Sequence, residues 1–112
     1  MATFVETIDL YKSEMNKMGI KYDETLLSAV SKGLGPSIYN QDASRVSCSD
    51  QSEKDRIKTN FLIGKLGLAD SPALSAAIDE VCNQMGSSNT NKYRGIFYYL
   101  LVVKFGKQAM YK

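Results

Sequence analysis

The eight residues from Ile96 to Val103, Ile-Phe-Tyr-Tyr-Leu-Leu-Val-Val, carry an apolar or aromatic side chain at every position. A helix that is apolar all round is either the central member of a bundle or one covered by a partner. The β-branched and aromatic content of the run also suits a strand, so the surrounding chain has to decide. At eight residues the run falls far short of the roughly 20 needed to cross a bilayer.

The surrounding chain is punctuated for helices. Thr3-x-x-Glu6 reads as a capping box. Behind it Val5, Ile8, Tyr11, Met15 and Met18 recur at helical steps, and Gly19 suits a left-handed stop. Asp23 is placed to cap a second helix through Leu26, Leu27, Val30 and Leu34, closed by Gly33-Leu34-Gly35-Pro36. Pro36 and Asp42 are placed to start two brief turns, through Tyr39 and Val46. Asp50-x-x-Glu53 opens the next helix, which carries Ile57, Phe61 and Leu66 to Gly67. Ser71-Pro72 opens another, with Leu74, Ala77, Ile78, Val81, Cys82 and Met85 as its stripe. The apolar run then falls within a last helix, Tyr93 to Phe105, ended by Gly106. A lone strand among so many helices has no partner. The expected fold is all-α, a compact bundle of five or six helices forming a single domain over residues 1–112.

Two stretches are familiar as a pair: Cys48-Ser-Asp50-x-Ser52-Glu53-x-Asp55-Arg56 with Asn60-Phe61-Leu62 and Lys65-Leu66-Gly67-Leu68, and Phe97-Tyr98-Tyr99-Leu100-Leu101 with Lys104-Phe105-Gly106-Lys107. Together they resemble a small bacterial family known only as a domain of unknown function. The resemblance implies an all-helical bundle and a bacterial source. It implies no activity, cofactor or catalytic residue.

Composition mainly excludes. The chain of 112 residues has no histidine, which removes Ser–His and Cys–His pairs and histidine metal ligands. Its 44% apolar content is that of a globular protein large enough for a core without disulfide or metal staples. Cys48 and Cys82 lie 34 positions apart and form no Cys-x-x-Cys; the two could in principle pair, but with no basic leader before an apolar run, reduced cysteines and a cytoplasmic location are the simpler expectation. Cys82, in the middle of an apolar stripe, is expected to serve as a small core hydrophobe.

The densest polar cluster lies between Asn40 and Arg56. Asp42, Arg45, Asp50, Glu53 and Arg56 are the candidate residues for a polar ligand or a cation. Their plainer reading is capping by Asp42 and Asp50, with Asp42–Arg45 and Asp50–Lys54 ion pairs. Cys48, near a helix start, is a candidate reactive thiol. No residue is nominated as catalytic, and no metal site or cofactor is expected. Tyr93, Tyr98, Tyr99, Lys104 and Tyr111 are candidates for an interaction surface, because aromatic residues are enriched at interfaces. The expected activity is therefore non-enzymatic binding of another protein, a homodimer through the last helix being one form of it. Residues 1–80 hold nine basic and twelve acidic side chains (−3), while residues 81–112 hold five basic and no acidic ones (+5). Five cations over that length are a weak footprint, so nucleic acid is not the expected partner.

Overall fold

A computed structural model describes residues 3–35, 39, 45–86 and 92–111. Among these, five α-helices pack into a globule with a radius of gyration of 13.0 Å: α1 (Phe4–Lys17), α2 (Glu24–Gly33), α3 (Gln51–Arg56), α4 (Pro72–Met85) and α5 (Arg94–Lys104). A 3₁₀ turn, Gln108–Tyr111, follows α5. The fold is all-α, as the caps and stops imply. The turns expected at Pro36 and Asp42 begin outside the described residues.

The local signals act as their chemistry requires. Thr3 Oγ1 accepts from the Glu6 amide at 3.2 Å while the Glu6 carboxylate accepts from the Thr3 amide at 3.4 Å. Gly19, at φ +70°, lets Ile20 N–H reach back to the Met15 carbonyl at 2.9 Å and close α1. Asp23 and Asp50 each accept two first-turn amides, at the starts of α2 and α3. Ser71 is the N-cap of α4 with Pro72 behind it, but the Ser71 side chain makes no capping hydrogen bond.

The third helix departs from the expected regular one. After Arg56 the backbone widens into a π-helical segment, Ile57–Ile63. Its wide turns continue past the segment: the Gly64 amide donates to Thr59 O at 3.0 Å and Leu66 to Phe61 O at 2.8 Å, both five residues back. The result is that Ile57, Phe61, Leu62 and Leu66 are all buried, although Phe61 and Leu62 are neighbours in sequence.

Helix α5 is the hub. Every residue from Gly95 to Val102 is buried, against α2, α4 and α1. From Ile96 to Val102 the apolar run is thus the central member of the bundle, covered by its own chain, while Val103 at its end is 41% exposed. Close approach of α1 depends on Gly95, where an added Cβ would lie 2.3 Å from Cε2 of Tyr11. The centre of α5 is also tied by polarity, since the Asp23 amide at the start of α2 donates to the Tyr99 hydroxyl at 2.7 Å. The chain entering α5 is held by an isolated antiparallel bridge, Arg45 with Tyr93, in which the Val46 amide donates to Lys92 O at 2.8 Å.

Candidate functional site

The polar cluster of the third helix divides. Asp50 is the N-cap of α3, accepting from the Ser52 and Glu53 amides at 2.9 and 3.4 Å. Glu53, one turn in, receives Arg56 at 3.0 Å on one carboxylate oxygen and Arg94 of α5 at 2.5 Å on the other. Arg94 also donates to the Tyr98 hydroxyl at 3.0 Å. The Tyr98 ring lies 4.2 Å from that of Phe61, centroid to centroid. Burial raises the Tyr98 phenol, with the Arg94 guanidinium opposing it. Arg45 stands over the Tyr93 ring at 5.6 Å. Asp42 lies outside the described residues. Glu53, Arg56, Arg94 and Tyr98 therefore form a network whose charges already face one another, which is an arrangement for joining α3 to α5. The expected Asp50–Lys54 pair is replaced: Lys54 reaches across to Asp79 of α4 at 2.9 Å.

The cysteines overturn an expectation. Cys48 is bonded to Cys82 in a disulfide, and among the described residues no cysteine is free. The candidate reactive thiol at Cys48 is thus not free in this state, and Cys82 is a bonding partner as well as a buried residue. The pairing is non-local: the Val46–Lys92 contact and the capped start of α3 carry Cys48 onto the face of α4 that presents Cys82. The reduced state, one of the two grounds for a cytoplasmic location, is not what the structure holds.

This disulfide lines the wall of an open cavity of about 430 Å³. Ser49 and Lys54 extend that wall on the α3 side, and Asp79 and Asn83 on α4. Lys92, only 6% exposed, completes it from the lead-in to α5. The described lining therefore combines two ammonium groups and one carboxylate with a hydroxyl, an amide and two sulfurs. Lys54, Asp79, Asn83 and Lys92 were not among the candidate site residues, Lys54 being expected only as an ion-pair partner of Asp50. Their one signal was that the chain has only two cysteines, whose pairing would have brought their neighbours together. Among the described residues no group of three or more Cys, Asp or Glu is arranged to hold a metal ion.

The tyrosine surface needs a second correction. Tyr98 and Tyr99 are buried and hydrogen-bonded inside the bundle, so they present nothing to a partner. Tyr93 and Tyr111 are half-buried, and Lys104 is exposed. With α5 covered by its own chain, the ground for a partner across it is gone. Two cations of the basic C-terminal portion are paired within the molecule, Arg94 with Glu53 and Lys104 with Glu80. Among the described residues no helix is long and apolar enough to cross a membrane.

A family model described as "Protein of unknown function (DUF2853)" matches residues 10–109. The chain belongs to this family, in agreement with the resemblance carried by its two motifs. Comparison with curated proteins finds no match.

Proposed function

We propose that this member of a family without an assigned activity is a binding module for a small anion, which it takes into the cavity between α3, α4 and the lead-in to α5. The observation that carries the reading is the cavity itself. Its volume of about 430 Å³ is that of a small-molecule site, and its walls come from three separated stretches of chain. Its lining residues carry two ammonium groups, a hydroxyl and an amide against the one carboxylate of Asp79, a donor-rich set of the kind that carboxylate and phosphate groups require. Lys54 is held by Asp79 in a defined position, so its donors are ordered before a ligand arrives. A cytoplasmic location belongs to the proposal only with a transient, redox-sensing disulfide, since stable disulfides belong to oxidising compartments.

The test is a thermal melt of the oxidised protein across a panel of small carboxylates, phosphates, neutral analogues and amines. A ligand that prefers the native state raises the midpoint in proportion to its concentration over its Kd. Carboxylates or phosphates are expected to raise it saturably, and Lys54→Gln to weaken the effect. Equal responses to anions and amines, or none, would contradict the reading.

A further inference from the structure

We infer that the Cys48–Cys82 disulfide is a thiol-exchange site within this cavity, reacting with a small thiol that bears a carboxylate. The inference rests on the cavity being a ligand site and adds the chemistry that happens there. Both cysteines line the cavity, so a molecule bound in it meets the sulfurs. The two differ in access: Cys48 is half-buried, while Cys82 is only 7% exposed. Cys48 is therefore the sulfur attacked and Cys82 the one that leaves. The incoming thiolate supplies an electron pair to Cys48 Sγ, the Cys48–Cys82 bond breaks, and Cys82 departs as a thiolate. One S–S bond is made and one is lost, with no outside oxidant, and the product is a mixed disulfide on Cys48. Lys54 and Lys92 share the cavity with the leaving sulfur. Set against the one carboxylate of Asp79, which pairs with Lys54, the two ammonium groups leave the lining net positive, which favours the departing thiolate and attracts the carboxylate of the reagent.

Opening the bond also leaves its surroundings anchored. Val46 is held to Lys92 by its amide at 2.8 Å, and Asp50 caps α3 on the other side of Cys48. Elsewhere the helices meet through a continuous core that draws on every one of α1, α2, α4 and α5. The disulfide thus borders a core that the other helices hold together, and the chain around Cys48 is tied down on both sides without it.

The experiment treats the oxidised, folded protein with 3-mercaptopropionate, 2-mercaptoethanol and cysteamine, which are anionic, neutral and cationic. Acid-quenched samples are read by intact mass and peptide mapping. The same protein in urea corrects for the intrinsic reactivity of each thiol. After that correction the anionic thiol is expected to react at least about tenfold faster than the cationic one, to label Cys48, and to lose most of this preference in Lys54→Gln. Exchange at the rate of global unfolding, a label on Cys82, or no charge preference would each overturn the inference. Propionate, which has the charge without the sulfur, separates the two readings. Saturable shifts of the Ser49 and Asn83 amide resonances with propionate, without exchange by mercaptopropionate, would overturn exchange and leave anion binding standing. Exchange with no propionate response would overturn the anion reading on which the thiol class depends.

Discussion

Glu53 and Arg94, 41 residues apart in sequence, close an ion pair at 2.5 Å in which the side chains are only 14% and 16% exposed. The pair joins the first turn of α3 to the first residue of α5, beside the bridge that carries Cys48 toward α4. Removing one member leaves the other partly desolvated and uncompensated. Glu53→Gln is expected to cost about 2–3 kcal/mol in urea unfolding. Arg56→Ala, which touches the same carboxylate from an exposed position, is expected to cost about 0.5 kcal/mol or less.

Tyr11 gives a prediction in pH. Its hydroxyl and that of Ser31 are buried without a hydrogen-bond partner among the described residues. Burial pushes the Tyr11 phenol up to about 12, while the Gly95 amide opposes the shift in part from a position short of a hydrogen bond. The unfolded chain ionises near pH 10 and the folded one does not, so Tyr11 leaves stability unchanged with pH below about 10 and lowers it above. The fall accrues as pH rises from about 10 to about 12, reaching up to about 2–3 kcal/mol. Tyr11→Phe is expected to flatten the decline in chemical-denaturation curves across this range. Near pH 7 the same variant should be as stable as the parent or more so, because it removes an unsatisfied hydroxyl.

Gly95 allows a close approach between α1 and α5. A methyl group there would collide with the Tyr11 ring, so Gly95→Ala is expected to destabilise by about 1–3 kcal/mol. Pairing it with Tyr11→Leu should recover part of the loss, and a double-mutant cycle measures that coupling.

Reducing the disulfide releases a loop spanning a sequence separation of 34 residues. Loop-closure entropy puts the cost at about 3–4 kcal/mol. Because the core draws on every one of α1, α2, α4 and α5, the reduced protein is expected to remain folded. Its urea midpoint should fall, and Cys82→Ser should lower it by a similar amount.

What could be read from sequence was what is decided within a turn or two of helix. The Thr3–Glu6 box, the Asp23 and Asp50 caps and the Gly19 stop depend on neighbours in the chain, and they formed as expected. The apolar face of α4 also follows directly from the spacing of Leu74, Ile78, Val81 and Met85. What escaped depends on contacts between distant segments. Tyr98 and Tyr99 look alike as surface anchors until Arg94 and Asp23 are seen to take their hydroxyls inside the bundle. Lys54 has a carboxylate four residues before it, yet Asp79 on another helix wins it. The disulfide follows from the Val46–Lys92 contact, which no local spacing encodes. The cavity inherits that difficulty, since its lining is assembled by the same non-local pairing.

Amide-resolved NMR of the oxidised protein during titration with a small dicarboxylate tests the anion site most directly. The expected result is a saturable shift confined to Ser49, Lys54, Asp79, Asn83 and Lys92, absent with an amine of the same size and weakened in Lys54→Gln. Shifts scattered over the exposed lysines, or the same response to the amine, would contradict it.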